Sequence, residues 1–165
     1  MLTNIEQYIK EDVRIIPALT NKKYKRFTPL GLINLKPVLV KKGIIPESYD
    51  FSKECLFWFE FIVTSDRIDF AFLIGKYVNK ESRKILYNHF LEEKSTFNVI
   101  KDRLSPVWNR CATHRLLTKA NYLKYLENED IDIEAIIKKE YEHVIDIMVP
   151  KIVASIEKLV KEETN

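Results

Sequence analysis

Residues 57–75 read FWFEFIVTSDRIDFAFLIG, and this stretch determines the fold. Apolar and polar side chains alternate in both halves, which is the period of a β-strand. If Ser65-Asp66 is a two-residue turn, Thr64 faces Arg67 and Ile62 faces Asp69. One face then carries eight apolar residues: Phe57, Phe59, Phe61, Val63, Ile68, Phe70, Phe72 and Ile74. The other carries Trp58, Glu60, Ile62, Thr64, Arg67, Asp69, Ala71 and Leu73. We predict an antiparallel hairpin packed on helices through its apolar face.

The sequence after the hairpin predicts three helices and a third strand. A helix over 80–100 begins at Asn79, whose side chain is a favourable N-cap. Residues 107–118 are predicted to form a strand beside the hairpin, followed by a short helix over 121–127. A long amphipathic helix then begins at Asp130 or Asp132, and its apolar stripe contains Ile133, Ile137, Tyr141, Val144, Met148, Ile152, Ile156 and Leu159. Pro150 lies inside it and is expected to kink or split it.

The sequence before the hairpin is less regular. Residues 3–16 have helical apolar spacing, with Thr3 and Glu6 at capping-box positions and Pro17 as the predicted stop. Three prolines and two glycines between residues 20 and 53 favour extended, irregular chain, with a short strand at Val38 to Lys41. We expect one α+β domain over 1–165, in which 1–55 is an N-terminal helix and a basic extended segment and 56–165 is the hairpin with its helices.

Composition limits the class of protein. The chain has 165 residues, 46% hydrophobic and 31% charged, and three glycines, which excludes disorder and low-complexity structure. Without an apolar run of about 18 residues, we expect no membrane span. Two cysteines are too few for a disulfide framework and indicate reduced thiols in the cytoplasm. Heavy use of Lys, Ile, Asn and Glu is typical of a low-GC bacterium or its phage.

Charge is distributed unevenly around a net value of +3. Residues 21–46 contain seven basic residues and no acid, and residues 101–124 contain six basic residues and one acid. The last 41 residues have a balance of −6. Such asymmetry is typical either of solvated lysine faces or of a surface that meets an anionic partner.

Possible catalytic and metal-binding patterns are incomplete. Glu92-Glu93-Lys94, with Asp69 before it, matches part of a PD-(D/E)XK nuclease site, but we place the triplet on a solvated helix face. Glu60 and Asp69 share a hairpin face and would suit metal or acid–base chemistry, whereas Arg67 on the same face favours an ion pair.

Cysteine and histidine offer no complete site. Cys111 and His114 have C-x-x-H spacing that His89, His143 or Cys55 would extend to a zinc site, yet a second close pair of ligands is missing. Nothing in the sequence indicates an activated thiolate, so a Cys/His nucleophile pair is equally weak. Nucleotide-binding and hydrolase motifs do not occur. We predict no cofactor, no metal and no catalytic residue.

The second basic segment mixes cations with an aromatic ring. If it is a strand, Arg110 and His114 should share a face with Trp108, an arrangement that suits phosphate contact and base stacking. Our candidate nucleic-acid-binding residues from both basic segments are Lys22, Lys23, Lys25, Arg26, Arg103, Trp108, Arg110, Arg115 and Lys119.

From Phe57 onwards the layout resembles the C-terminal region of bacterial restriction-endonuclease-like proteins, a PD-(D/E)XK-related group often of unknown function. The similarity covers the aromatic ribbon, the segment NKESRKILYNHFLEEKSTFNVI at 79–100, Trp108-Asn109-Arg110 and the final helix with its late proline. Residues 1–55 contain no counterpart of the nuclease core, so the resemblance carries no catalytic residue across. It implies a nucleic-acid or defence context.

These observations predict a non-enzymatic binding protein whose basic surface meets nucleic acid or a nucleic-acid-handling protein. Two alternatives remain open at this point. One is a phage-encoded inhibitor or another protein-interaction module, and the other is a small metal-dependent nuclease that uses Glu60 and Asp69.

Overall fold

A computed structural model of the chain describes residues 4–97 and 104–161. Within these ranges the fold is α+β, as predicted, with one five-stranded antiparallel sheet in the order β1-β2-β3-β4-β5. The strands are β1 Ile15–Pro17, β2 Tyr24–Pro29, β3 Trp58–Val63, β4 Ile68–Ile74 and β5 Asn109–Leu117. The helices are α1 Asn4–Glu11, α2 Leu30–Asn34, α3 Lys36–Lys41, α4 Lys80–Glu92, α5 Lys119–Glu127, α6 Ile133–His143 and α7 Val149–Lys161.

The β3–β4 hairpin has the predicted register. Ile62 pairs with Asp69, Val63 pairs with Ile68, and the Thr64 N–H donates to the Arg67 carbonyl at 2.9 Å to close the turn. The register is strongly specified because a one-residue slip would move every apolar side chain to the opposite face. The third strand is also confirmed, since β5 pairs with β4 along its length.

The helices pack on the apolar face of the hairpin, which we call the helix face of the sheet. Seven of the eight predicted residues there are buried, and Val63 is half-buried. Their rings contact one another and the helices: Phe59 lies 4.7 Å from Phe72, and Phe72 lies 5.2 Å from Phe90 of α4. Ring pairs at such centroid distances add to the burial energy.

Asn79 caps α4 as predicted, with its side chain accepting from the Glu81 and Ser82 N–H groups. The helix ends at Glu92 and not at residue 100, and residues 98–100 lie outside the described ranges. Asp132 caps α6 and accepts from the Ala135 N–H, which decides between the two predicted caps.

The long C-terminal helix is interrupted just before Pro150. Residues Val144–Met148 form a π-helical turn between α6 and α7. Proline has no N–H to donate and its ring crowds the preceding turn, and the wider π-helical turn accommodates both effects. The extra residue also rotates the buried stripe, and Ile145 and Val149 are buried while Met148 is half-buried.

The N-terminal prediction was wrong in three places. Residues 24–29 form an inner strand, and the predicted strand at Val38 to Lys41 is part of helix α3, because Pro37 fits a first helical turn and Leu39 faces the core. Helix α1 ends at Glu11, before Pro17, which lies in the edge strand β1 where a missing N–H is tolerated. The predicted cap Thr3 lies outside the described residues.

Candidate functional site

The face of the sheet opposite the helices, which we call the open face, carries the polar residues of the hairpin. Direct cross-strand pairing arranges its side chains in three rows. The first row is Trp58, Leu73 and Arg110; the second is Arg26, Glu60, Ala71 and Thr113; the third is Tyr24, Ile62, Asp69 and Arg115. A small apolar cluster of Ile62, Ala71 and Leu73 lies at its centre, and Tyr24 and Trp58 pack against it.

Two irregularities interrupt the pairing of β5 with β4, and one of them determines which basic residues lie on the open face. The pairing shifts between Phe72 and Leu73, so that Ala112 lies opposite Phe72 and Arg110 lies opposite Leu73. The extra residue reverses the alternation of side chains along the strand. Arg110 and His114 therefore lie on opposite faces, and the prediction that they share one was wrong.

Arg26 lies between two aromatic rings on this face. Its guanidinium carbon is 3.8 Å from the centroid of Trp58 and 5.5 Å from that of Tyr24, and its Nε donates to Glu60 at 3.1 Å. The Lys23 ammonium lies 5.2 Å from the centroid of the Tyr24 ring. Cations stacked on rings are favourable in themselves and present flat surfaces on which further planar groups can stack.

Two carboxylates lie among these cations. Glu60 is only 5% exposed, and burial raises its pKa although Arg26, Arg110 and Lys23 act in the opposite direction. Asp69 accepts from Arg115 at 2.7 Å and pairs with Arg67 at 3.2 Å. The ion-pair interpretation of these acids is therefore the one that the geometry supports. With five cations (Lys23, Arg26, Arg67, Arg110 and Arg115) against these two acids, the open face is net positive.

The remaining candidates from the sequence lie around the face or away from it. Lys22 is exposed in the turn before β2, and Lys119 pairs with Asp66 at 3.5 Å beside the hairpin turn. Trp108 is 37% exposed next to Arg110, whose guanidinium lies 5.6 Å from its ring. Lys25 points to the helix face, where it pairs with Glu6 of α1 at 3.1 Å. Arg103 lies outside the described residues.

A cluster of Ser155, His89 and Glu93 joins α7 to α4 and was missed by sequence reasoning. His89 Nε2 lies 2.9 Å from Ser155 Oγ and 2.8 Å from the Ser155 carbonyl oxygen, and the hydroxyl donates to Glu93. Burial opposes ionisation of Glu93, but bonds from Ser155 and Lys158 outweigh it and lower the pKa. A nucleophilic serine needs a histidine nitrogen that can take its proton. Here Nε2 must donate to a carbonyl, so the cluster is an interhelical link.

The other polar groups do not form a reactive centre either. Cys111 is buried, and burial raises the pKa of its thiol to about 12. His114 is bonded to Glu140 of α6 at 2.6 Å. Glu92 and Lys94 are exposed, as predicted. In the ranges 4–97 and 104–161 no group of three or more His, Cys, Asp or Glu residues is placed to hold a metal ion. None of the helices in those ranges is both long and apolar enough to cross a membrane.

Neither a protein-family model, nor a curated protein, nor a solved structure matches this chain. Since no relative indicates a function, the arginines and aromatic rings of the open face are the feature that suggests one.

Proposed function

We propose that the protein binds nucleic acid on the open face of its sheet and catalyses no reaction there. The observation that carries the proposal is that two distant basic segments contribute to one face: Arg26 from β2 lies on the same face as Arg110 and Arg115 from β5. The rings of Tyr24 and Trp58 lie on that face against Arg26. Cationic side chains around aromatic rings supply phosphate contacts and stacking surfaces together. Antiparallel sheets that present aromatic side chains on one face are a known platform for nucleic acids, which supports the proposal by analogy.

The two acids give the face a definite arrangement of charge. Glu60 and Asp69 hold Arg26, Arg67 and Arg115 in fixed positions and reduce the net charge of the face. Affinity from a modest net charge should be weak and show little preference for sequence, since phosphate contacts position a ligand without reading it. We also propose that the protein acts in the bacterial or phage defence context that the restriction-endonuclease resemblance implies.

A salt titration tests the proposal with a matched pair of variants. We would measure fluorescence anisotropy of labelled single- and double-stranded oligonucleotides from roughly 50 to 200 mM salt. Lys23→Glu should weaken binding to every sequence and reduce the salt slope, because Lys23 lies on the open face. Lys151→Glu makes the same charge change on an exposed position of α7, behind the sheet, and should have a much smaller effect. Equal effects of the two, or no binding at about 50 mM salt, would refute the open face as the site.

A protein partner is the second candidate function, and helix α5 is the observation that favours it. This helix buries none of its residues, and Leu123 and Leu126 are 46% and 57% exposed. Exposed apolar side chains on one helix are typical of surfaces that meet another protein. Leu123→Ser with Leu126→Ser should then abolish binding to the partner and leave nucleic-acid binding unchanged.

A further inference from the structure

The arginines of the open face differ in whether their charge is already paired. Arg26 is bound to Glu60, and Arg67 and Arg115 share Asp69. Arg110 has no ion pair with any residue in the described ranges. Its Nε is also one of two buried side-chain nitrogen or oxygen atoms there that lack a hydrogen-bond partner, and the other, in Arg83, belongs to an α4 residue that is not on this face.

A guanidinium without an ion pair is well suited to bind an anion. The Nε–H is itself buried, so a ligand would contact the outer nitrogens of this half-buried guanidinium. Keeping a charged group partly buried without a counter-charge is costly in the free protein, and an anion bound to it offsets that cost. The planar guanidinium presents parallel N–H groups that match two oxygens of one phosphate. Glu60 acts on Arg110 through space but is bound to Arg26, so it does not satisfy Arg110 directly.

Arg110 lies on the same face as the stacking surface formed by Trp58 and Arg26, at a distance that one ligand can span. Trp58, Leu73 and Arg110 lie opposite one another on β3, β4 and β5, so Trp58 and Arg110 are two strand spacings apart, or roughly 10 Å. Adjacent nucleotides of one strand can span such a distance, with a base over the Arg26–Trp58 stack and a phosphate at Arg110. A duplex keeps its bases inside and offers phosphates alone, so it would leave the aromatic part of this face unused.

Resting on the proposed function, we infer that the ligand is a single strand and that Arg110 is its main phosphate contact, whereas Arg115 contributes little. Both arginines lie on β5 and face the same way, and replacing either with glutamine removes one positive charge from the face. They differ in that the Arg115 guanidinium is held by Asp69. Comparing the Arg110 and Arg115 variants therefore separates the effect of a direct phosphate contact from the effect of the overall positive charge of the face.

The experiment compares Arg110→Gln with Arg115→Gln, using a labelled oligothymidine single strand and a mixed-sequence duplex of equal length. We expect the wild type to bind the single strand about tenfold more tightly than the duplex, since stacking on even one ring contributes that much. Arg110→Gln should lose about tenfold in affinity for the single strand and reduce the salt slope by about 0.7. Arg115→Gln should lose about twofold, from the field alone.

Thermal melting would show that each variant is folded. If Arg110→Gln is not, Arg110→Lys replaces it, because lysine retains the charge and loses the two-point contact; about threefold weaker binding is then expected. Equal losses for the Arg110 and Arg115 variants, or equal binding of single strand and duplex, would overturn this inference while nucleic-acid binding stands. Absence of binding to both oligonucleotides would overturn the proposed function itself.

Discussion

Replacing Phe59 with alanine should destabilise the protein by about 3–5 kcal/mol. The Phe59 side chain is completely buried on the helix face, and its ring lies 4.7 Å from Phe72 and 5.8 Å from Phe27. A phenylalanine buries roughly 150–250 Å², which at about 25 cal/mol per Å² corresponds to roughly 4–6 kcal/mol. Alanine retains about 0.8 kcal/mol of this through its methyl group.

Urea unfolding followed by circular dichroism measures the loss. At an m value near 2 kcal/mol per M, a loss of about 4 kcal/mol lowers the urea midpoint by about 2 M. Arg115→Ala is the control, since that side chain is exposed on the other face of the same sheet, and it should cost less than about 1 kcal/mol. A loss below about 1 kcal/mol for Phe59→Ala, with m unchanged, would mean that the faces of the hairpin have been assigned the wrong way round.

Three further predictions concern a carboxyl group, two glycines and a solvated helix end. Because burial raises the native pKa of Glu60, its contribution to stability is present at low pH and is lost as the pH rises through that pKa. The urea midpoint of the wild type should therefore fall relative to that of Glu60→Gln across roughly pH 4–8. The same pH dependence in both proteins would contradict this. Gly75→Ala should lower the free energy of unfolding by about 3 kcal/mol or more, because a Cβ there would lie 2.1 Å from a backbone oxygen. Gly43→Ala should lower it by about 1 kcal/mol, because Gly43 has a φ of 69° but open space around it. Similar melting temperatures for the two variants would refute the steric argument. Glu92→Gln with Lys94→Ala should alter neither stability nor oligonucleotide binding, since both side chains are exposed, and a loss of function with the fold intact would restore the nuclease interpretation.

The hairpin could be predicted because its information is local. The alternation from Phe57 to Ile74 leaves one register in which the rings share a face, and the two-residue turn at Ser65-Asp66 fixes that register. The caps at Asn79 and Asp132 are local as well, because each side chain bonds to backbone groups within three residues of itself.

Residues 20–53 were difficult because their structure depends on distant partners. Strand β2 has four polar or charged residues in six, and it is a strand because its backbone pairs with β3, some thirty residues later. Val38 to Val40 are β-branched or apolar residues with strand propensity, yet the short helix α3 is favoured by the burial of Leu39 in the core. Tertiary packing overrides propensity in both segments.

The sequence by itself determined that the chain has an apolar-faced hairpin, a third strand, capped helices and two basic segments, because all of these depend on spacing between near neighbours. Only the tertiary structure decided which basic residues act together. A β-bulge at Cys111 moved Arg110 to the open face and left His114 on the other, and the pairing of β2 with β3 brought Arg26 to Trp58. Lys25, one position away from Arg26, turned to the helix face and to Glu6. Side-chain direction in a sheet reverses with every residue, so one inserted position or one new pairing changes the composition of a surface while the composition of the sequence stays the same.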